Sequence, residues 1–319
     1  MPPNLSQVCP LMSTLMPQSF DSTSQQTLTV AQCIQRGAQR FEAAGLTFGH
    51  GTDNARDEAA ELVFFAAGLR HEDAADVYDS QLTAQQLERI EDLFARRIRE
   101  RVPVAYLTNR MWFAGHEFYV DQRVLVPRSP IAELIEARFA PWIDAQRIHS
   151  VLDIGTGSGC IAIATALALP DARVDAADVS DAALIVARIN IDRFGVAHRV
   201  SAIKSDVYDA LAGRHYDVIV TNPPYVGTEE MASLPVEYQR EPSLGLFGGD
   251  DGLDIIRRIL AAAPAHLEDG GILIGEVGNS EAALQAAFPH VPFIWLEFER
   301  GGGGVFVLTK DELQRSISS

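Results

Sequence analysis

Three stretches near the start of this chain repeat apolar residues at helical spacing. They are Ala31, Ile34, Ala38 and Phe41; Ala59, Leu62, Val63 and Ala66; and Leu87, Ile90, Leu93, Phe94 and Ile98. Thr83 is placed to cap the third, with Gln86 three residues on. A glycine-rich stretch, Gly45 to Thr52, interrupts them, so residues 28–101 predict a small helical bundle. At residues 102–127 the pattern shortens. Trp112 to Val120 and Val124-Leu125-Val126 predict a β-hairpin linker with Asp121-Gln122 in its turn region. Pro127-Arg128-Ser129-Pro130 then predicts the start of a helix running to about Ala145. Residues 128–319 alternate between strands and helices. The predicted strands are Val151–Ile154, Val174–Ala177, Val200–Ile203, Val218–Thr221, Ile272–Glu276, Phe293–Phe298 and Val305–Thr309. Helices fill most gaps up to the fifth strand, which implies parallel βαβ units. Gly301 to Gly304 is too short for a parallel crossover, so the last two strands should pair antiparallel. A mostly parallel seven-stranded α/β sheet with an antiparallel C-terminal hairpin is the Rossmann-like methyltransferase plan, here behind a small N-terminal helical domain.

Composition narrows the classes. Apolar residues make up 47% and charged residues 22%, as in ordinary globular proteins. No apolar run approaches the roughly 18 residues of a membrane span. Residues 1–27, rich in Ser, Pro and Gln, lack the pattern of a signal peptide and predict a disordered lead-in. Cys9, Cys33 and Cys160 have no metal spacing, which fits a reduced cytoplasm and predicts no metal. The net charge of −17 argues against a nucleic-acid substrate, because phosphate binding draws on basic surface, and favours a basic protein partner. The one dense basic run, Arg96 to Arg101, reads as cations complementing a helix C-terminus.

Candidate chemistry sits at the predicted strand ends. Asn222-Pro223-Pro224-Tyr225 follows the run Tyr216 to Thr221. Two prolines stop that strand in a stiff turn carrying an amide and an aromatic ring, a way to hold a small planar NH2 group. Earlier, Asp153 precedes a loop of Gly155, Thr156, Gly157, Ser158 and Gly159 that leads into a helix. Its Gly-x-Gly-x-Gly spacing differs from the Gly-x-Gly-x-x-Gly that cradles a pyrophosphate. Asp178 ends the second strand, where it could accept from ribose hydroxyls. Asp206, beside Val207, follows the third, where it could accept from an adenine amino group. Together these predict an S-adenosyl-L-methionine site. His116 is read as structural. The segment Val226 to Asp254, with Glu229, Glu230, Glu237, Glu241, Asp250, Asp251 and Asp254 against Arg240, predicts an acidic rim beside the turn.

At these residues the chain resembles the protein N5-glutamine methyltransferases, over roughly residues 30 to 315. The segments Val102 to Asn109, Phe113 to Phe118 and Val124 to Ile131 are similar to the branch that acts on ribosomal protein three of the large subunit. The release-factor branch usually places Pro-Glu-Thr-Glu after Pro-Arg, where Ser129-Pro130-Ile131-Ala132 stands here. The resemblance implies methylation of a glutamine side-chain amide in that basic protein, before or during ribosome assembly. Substrate recognition would fall to the helical domain. Asn222 and the Pro223 carbonyl would hold the amide, and Tyr225 would pack on its plane. The rival readings are a release-factor enzyme, an adenine-N6 nucleic-acid methyltransferase and a non-catalytic binding module.

Overall fold

A computed structural model describes residues 28–70, 72 and 77–317; the expected lead-in at 1–27 lies outside them. The helical bundle contains α1 (Val30–Ala43), α2 (Ala55–Ala67) and α3 (Ala84–Glu100). Capping boxes start α1 and α3, with Thr29 and Thr83 each accepting from the backbone three residues on. The apolar stripes meet in one core, where Phe41, Leu62, Ile90 and Phe94 are fully buried. That core extends to Val120, Val124 and Val126 of the connecting segment and to Ala183 and Val186 further along the chain.

The connecting segment differs from expectation. It opens with a short helix, α4 (Val104–Thr108), before β1 (Met111–Phe113) and β2 (His116–Phe118). The hairpin turns at Ala114-Gly115, both at positive φ, as a two-residue hairpin turn requires. Asp121 makes a separate turn by accepting from the Arg123 backbone, and Val124–Val126 is no strand. The next helix, α5 (Ile131–Glu136), stops well before Ala145. Arg138 and Phe139 enter the left-handed region, and Pro141 cannot continue a helix.

The rest is a doubly covered sheet. Its elements are β3 (Ser150–Ile154), α6 (Cys160–Ala168), β4 (Arg173–Asp178), α7 (Asp181–Arg193), β5 (Val200–Lys204), β6 (Tyr216–Thr221), α8 (Thr228–Ser233), α9 (Asp254–His266), β7 (Leu267–Glu276), α10 (Glu281–Ala287), β8 (Ile294–Trp295), β9 (Val305–Thr309) and α11 (Lys310–Ile317). The strand order is β5-β4-β3-β6-β7-β9-β8, parallel through β7 and antiparallel where β9 meets β7 and β8. Val218 and Val220 pack on one face with α5 and α6, and Ile219 packs on the other with α9 and α11. Burial on both faces explains the nearly continuous apolar strands. Strand β8 is shorter than expected because the chain leaves the sheet after Trp295, and the Glu299 and Arg300 amides donate to Glu133 on α5. Among the described residues, no helix is long and apolar enough to cross a membrane.

Arg97 corrects the reading of the basic run. It is fully buried, and its guanidinium donates to both Glu58 oxygens at 2.8 and 3.2 Å and to the Thr47 carbonyl at 2.9 Å. Replacing it as Arg97→Met strands Glu58 without its counter-ion and should cost about 3–5 kcal/mol. The partly exposed Arg96→Met should cost under about 0.5 kcal/mol. Urea unfolding of the two variants side by side checks the contrast.

Candidate active site

The sheet order reverses between β3 and β6, the position at which α/β sheets open a crevice at their carboxyl ends. The glycine loop leaves β3 there, and Asn222 leaves β6. Ile154 and Thr221 are register partners, and the Thr221 hydroxyl donates to the Ile154 carbonyl at 2.8 Å. Gly155 therefore lies against the next turn. A Cβ built on it would stand 3.8 Å from the Asn222 carbonyl oxygen, and its φ of +73° already favours glycine.

A cavity of about 320 Å³ fills this crevice. Gly155, Thr156, Gly157, Ser158, Asp178, Asp206, Val207, Asn222, Pro223 and Pro224 line it. Asp178 accepts from the Gly157 amide at 2.9 Å and the Ser180 amide at 2.8 Å, so it fixes the loop while lining the cavity. Burial raises its pKa. Asp206 reaches the wall while paired with Arg258 at 2.9 Å. Asp153 and Gly159 lie behind the wall. Asp153 is fully buried and accepts from Thr156 Oγ1 at 2.6 Å and from the Ala162 amide, tying the loop to α6. Burial pushes its carboxyl up to about 7, and its Oδ1 has no partner.

A second cavity, of about 390 Å³, adjoins the first. The two share Leu125, Arg128, Asn222, Pro223 and Gly245. Tyr225 lines only the second, with Glu230, Tyr238, Asn279 and, from the helical bundle, Thr47. Asn222 and Pro223 thus form a partition between two chambers. Among the described residues, nothing hydrogen-bonds the Asn222 carboxamide. Behind Tyr225, the Glu276 carboxyl accepts from the Tyr225 hydroxyl at 3.4 Å and from Ser129 Oγ at 2.5 Å. Gly278 leaves room for the ring, since a Cβ there would come within 2.6 Å of it. Burial pushes Glu276 up to about 7 and raises Tyr225 as well.

The sequence reading missed several wall residues. Residues 123–129, expected as the end of the linker and the start of the next helix, wall the first cavity. Glu276 ends a predicted strand, so the argument used for Asp178 could have flagged it. The acidic rim needs correction. Glu237 and Glu241 are buried ion-pair partners of Arg97, Arg101 and Arg128, not rim charges. Asp251 pairs with Arg257, while Glu230 stays at the second cavity, bonded by Asn279. His116 packs edge-on against Phe194 and lines neither cavity.

Residues 32–108 match the model of the PrmC N-terminal domain, and residues 138–236 match that of the methyltransferase small domain. A ribosomal protein uL3 glutamine methyltransferase from Xanthomonas campestris pv. campestris is 50% identical over 89% of this chain and 92% of its own length. The chain belongs to the uL3 glutamine methyltransferase family. A second member, from Xylella fastidiosa, is also 50% identical, over 89% of this chain and 91% of its own. The solved structure of a Pyrococcus furiosus methyltransferase covers 60% of this chain and 88% of its own, at 21% identity and a TM-score of 0.44.

Glu276 yields a pH test. An unfolded glutamate titrates near 4.5, and the folded one near 7. The neutral buried form therefore favours folding below 4.5, and that contribution disappears as the pH rises through 7. Wild type should lose about 3 kcal/mol relative to Glu276→Gln between pH 4 and pH 8. Chemical denaturation of both proteins at the two pH values measures the gap.

Proposed function

We propose that this protein transfers a methyl group from S-adenosylmethionine to the side-chain amide nitrogen of a glutamine in ribosomal protein uL3. The observation that carries this reading is the partition. One cavity has the glycine loop and strand-end acids, the other has Tyr225, and the Asn222–Pro223 turn stands between them.

The first cavity's residues fit the cofactor. The glycine loop admits close approach, Asp178 can accept from the ribose hydroxyls, and Asp206 can accept from the adenine amino group. Burial brings the Asp153 carboxyl, with its unpartnered Oδ1, up to about 7; a bound cation such as a sulfonium would favour its ionised form, whereas a phosphate would be repelled by it. When bound, S-adenosylmethionine supplies an activated methyl on that sulfonium.

A carboxamide nitrogen is a weak nucleophile because its lone pair is delocalised into the carbonyl. Two acceptors on its hydrogens, the Asn222 side-chain oxygen and the Pro223 carbonyl, would favour charge on nitrogen and turn the lone pair toward the partition. Tyr225, backed by Glu276 and Gly278, would press on the amide plane and set the angle. Such orientation can supply about 7–11 kcal/mol of the barrier reduction. A basic acceptor complements the protein's charge of −17, with Glu230 lining the second cavity and Glu229 next to it in the chain. We place the reaction in the cytoplasm, on uL3 not yet buried in a ribosome, with the helical bundle contributing to acceptor recognition.

Asn222→Ala should keep cofactor affinity within about tenfold while methyl transfer falls at least about 10²-fold. Calorimetry and labelled-methyl assays separate the two effects, and activity within a few-fold of wild type would refute the amide clamp. Asp178→Ala should weaken cofactor binding by roughly 1.5–3 kcal/mol or more, since it also frees the Gly157 amide. Offered free uL3, a release factor and duplex DNA in parallel, the enzyme should label a glutamine in uL3 alone, less well as salt rises or when Glu229 and Glu230 are reversed to Lys. Labelled release factor would reassign the acceptor, and N6-methyladenine would overturn the substrate class.

A further inference from the structure

The segment 234–247 forms the outer wall of both cavities. Leu234, Pro235 and Tyr238 face only the second, while Pro242, Leu244 and Phe247 face only the first. Polar loops of this kind are usually held by few contacts and drawn from the less stable parts of a fold. This one is held by two buried carboxylates.

Glu237 accepts from the Thr47 amide at 3.1 Å, Arg101 Nη1 at 3.1 Å and Arg97 Nη1 at 3.4 Å. Arg101 also donates to the Ala44 and Gly45 carbonyls, so the pair joins the segment to the loop after α1. Glu241 accepts from the Val126 amide at 2.9 Å and binds Arg128 through both oxygens at 2.8 and 2.7 Å. His50 Nε2 lies 3.4 Å away, and the Tyr238 ring sits between His50 and Arg128, at 4.3 and 5.2 Å. Every anchor of Glu237 lies in the helical bundle. Those of Glu241 are His50 of the bundle and the connecting segment.

We infer that Glu237 and Glu241 are positioning residues for the acceptor. Through them the helical bundle fixes the wall of the second cavity and its distance from the Asn222–Pro223 partition. Desolvation offsets much of the Coulombic gain of a buried pair, so its effect here is on the arrangement of the wall. Neither carboxylate lines a cavity, so each acts through the residues it holds. Glu237 governs the part facing the acceptor alone, and Glu241 governs Arg128, which borders both chambers. The inference rests on the reading of the second cavity as the acceptor site.

The test uses the full-length enzyme and its Glu237→Gln, Arg101→Gln and Glu241→Gln variants, with the double variant of the first two. It measures kcat and KM for uL3, S-adenosylmethionine affinity by calorimetry, melting temperature, and amide hydrogen exchange over 234–247. Glu237→Gln and Arg101→Gln should each raise KM about tenfold, with kcat and cofactor affinity within about threefold, and the double variant should be little worse than Glu237→Gln, because Glu237→Gln already breaks the pair with Arg101 along with the one with Arg97. Exchange should quicken across the segment. Glu241→Gln should weaken the cofactor as well. Unchanged KM and exchange in folded variants overturn the inference, and so does a lower melting temperature with KM unmoved. Arg101 is partly exposed and lines neither cavity, so its variant decides the matter should Glu237→Gln fail to fold. If wild type does not label uL3, the acceptor reading fails, and the exchange result still decides whether the carboxylates hold the wall.

Discussion

The parallel pairing of β3 with β6 is the constraint on which the site depends. It places the end of Ile154 beside Thr221, so that two loops distant in sequence leave the sheet side by side. The reversal of strand order at this pair opens the crevice. Gly155 then takes the left-handed turn, at φ +73°, that lays the backbone of one loop beside Asn222 on the other. A register slip of one residue would turn Asp153 out of its buried pocket and carry Asn222 off the partition. The apolar residues of both strands, buried on two faces, hold that register.

A second layer of organisation surrounds this pair. Residues 123–129 wall the first cavity, and residues of the segment 234–247 wall both. Each segment is irregular, and each is fixed by charge. Arg128 and Glu241 join them to one another; Arg97 and Arg101 join Glu237 to the bundle. Burial alone would raise the Glu241 pKa, but His50 and Arg128 outweigh it and hold the carboxyl at about 2. Glu237 is likewise held below its usual range against burial by the Thr47 amide and the two arginines. Both therefore stay ionised at neutral pH, and the wall keeps its anchors.

Tyr225 shows how the two layers meet. Its ring faces the second cavity, its hydroxyl rests on Glu276 at the end of β7, and Glu276 in turn takes a hydrogen bond from Ser129 in the connecting segment. The aromatic wall of the second cavity is thus set by the sheet and by the segment that walls the first. An orientation-dependent reaction needs such agreement between walls, because a small displacement of the reacting nitrogen loses much of the gain from alignment.

Local pattern was enough for the elements and for the ends of strands. Helical repeats identified the bundle, apolar runs alternating with helices the strands, and the short link from Gly301 to Gly304 the antiparallel C-terminal pair. The turn chemistry of Gly155 to Gly159 and Asn222 to Tyr225 marked the two loops, since glycine and proline act through their own backbones. The end of α5 was written locally, in the residues before Pro141, and was missed; the β8 boundary instead failed because a distant neighbour, Glu133, decided it. Side-chain roles failed for the same reason. Glu237 and Glu241 sit in a polar stretch and read as solvated until Arg97, Arg101 and Arg128 are brought to them from elsewhere in the chain. Arg97 reads as a helix-end cation until Glu58 covers it. Backbone preference is written in adjacent residues, whereas burial of a charge depends on which distant partner arrives, and only the tertiary structure supplies that partner.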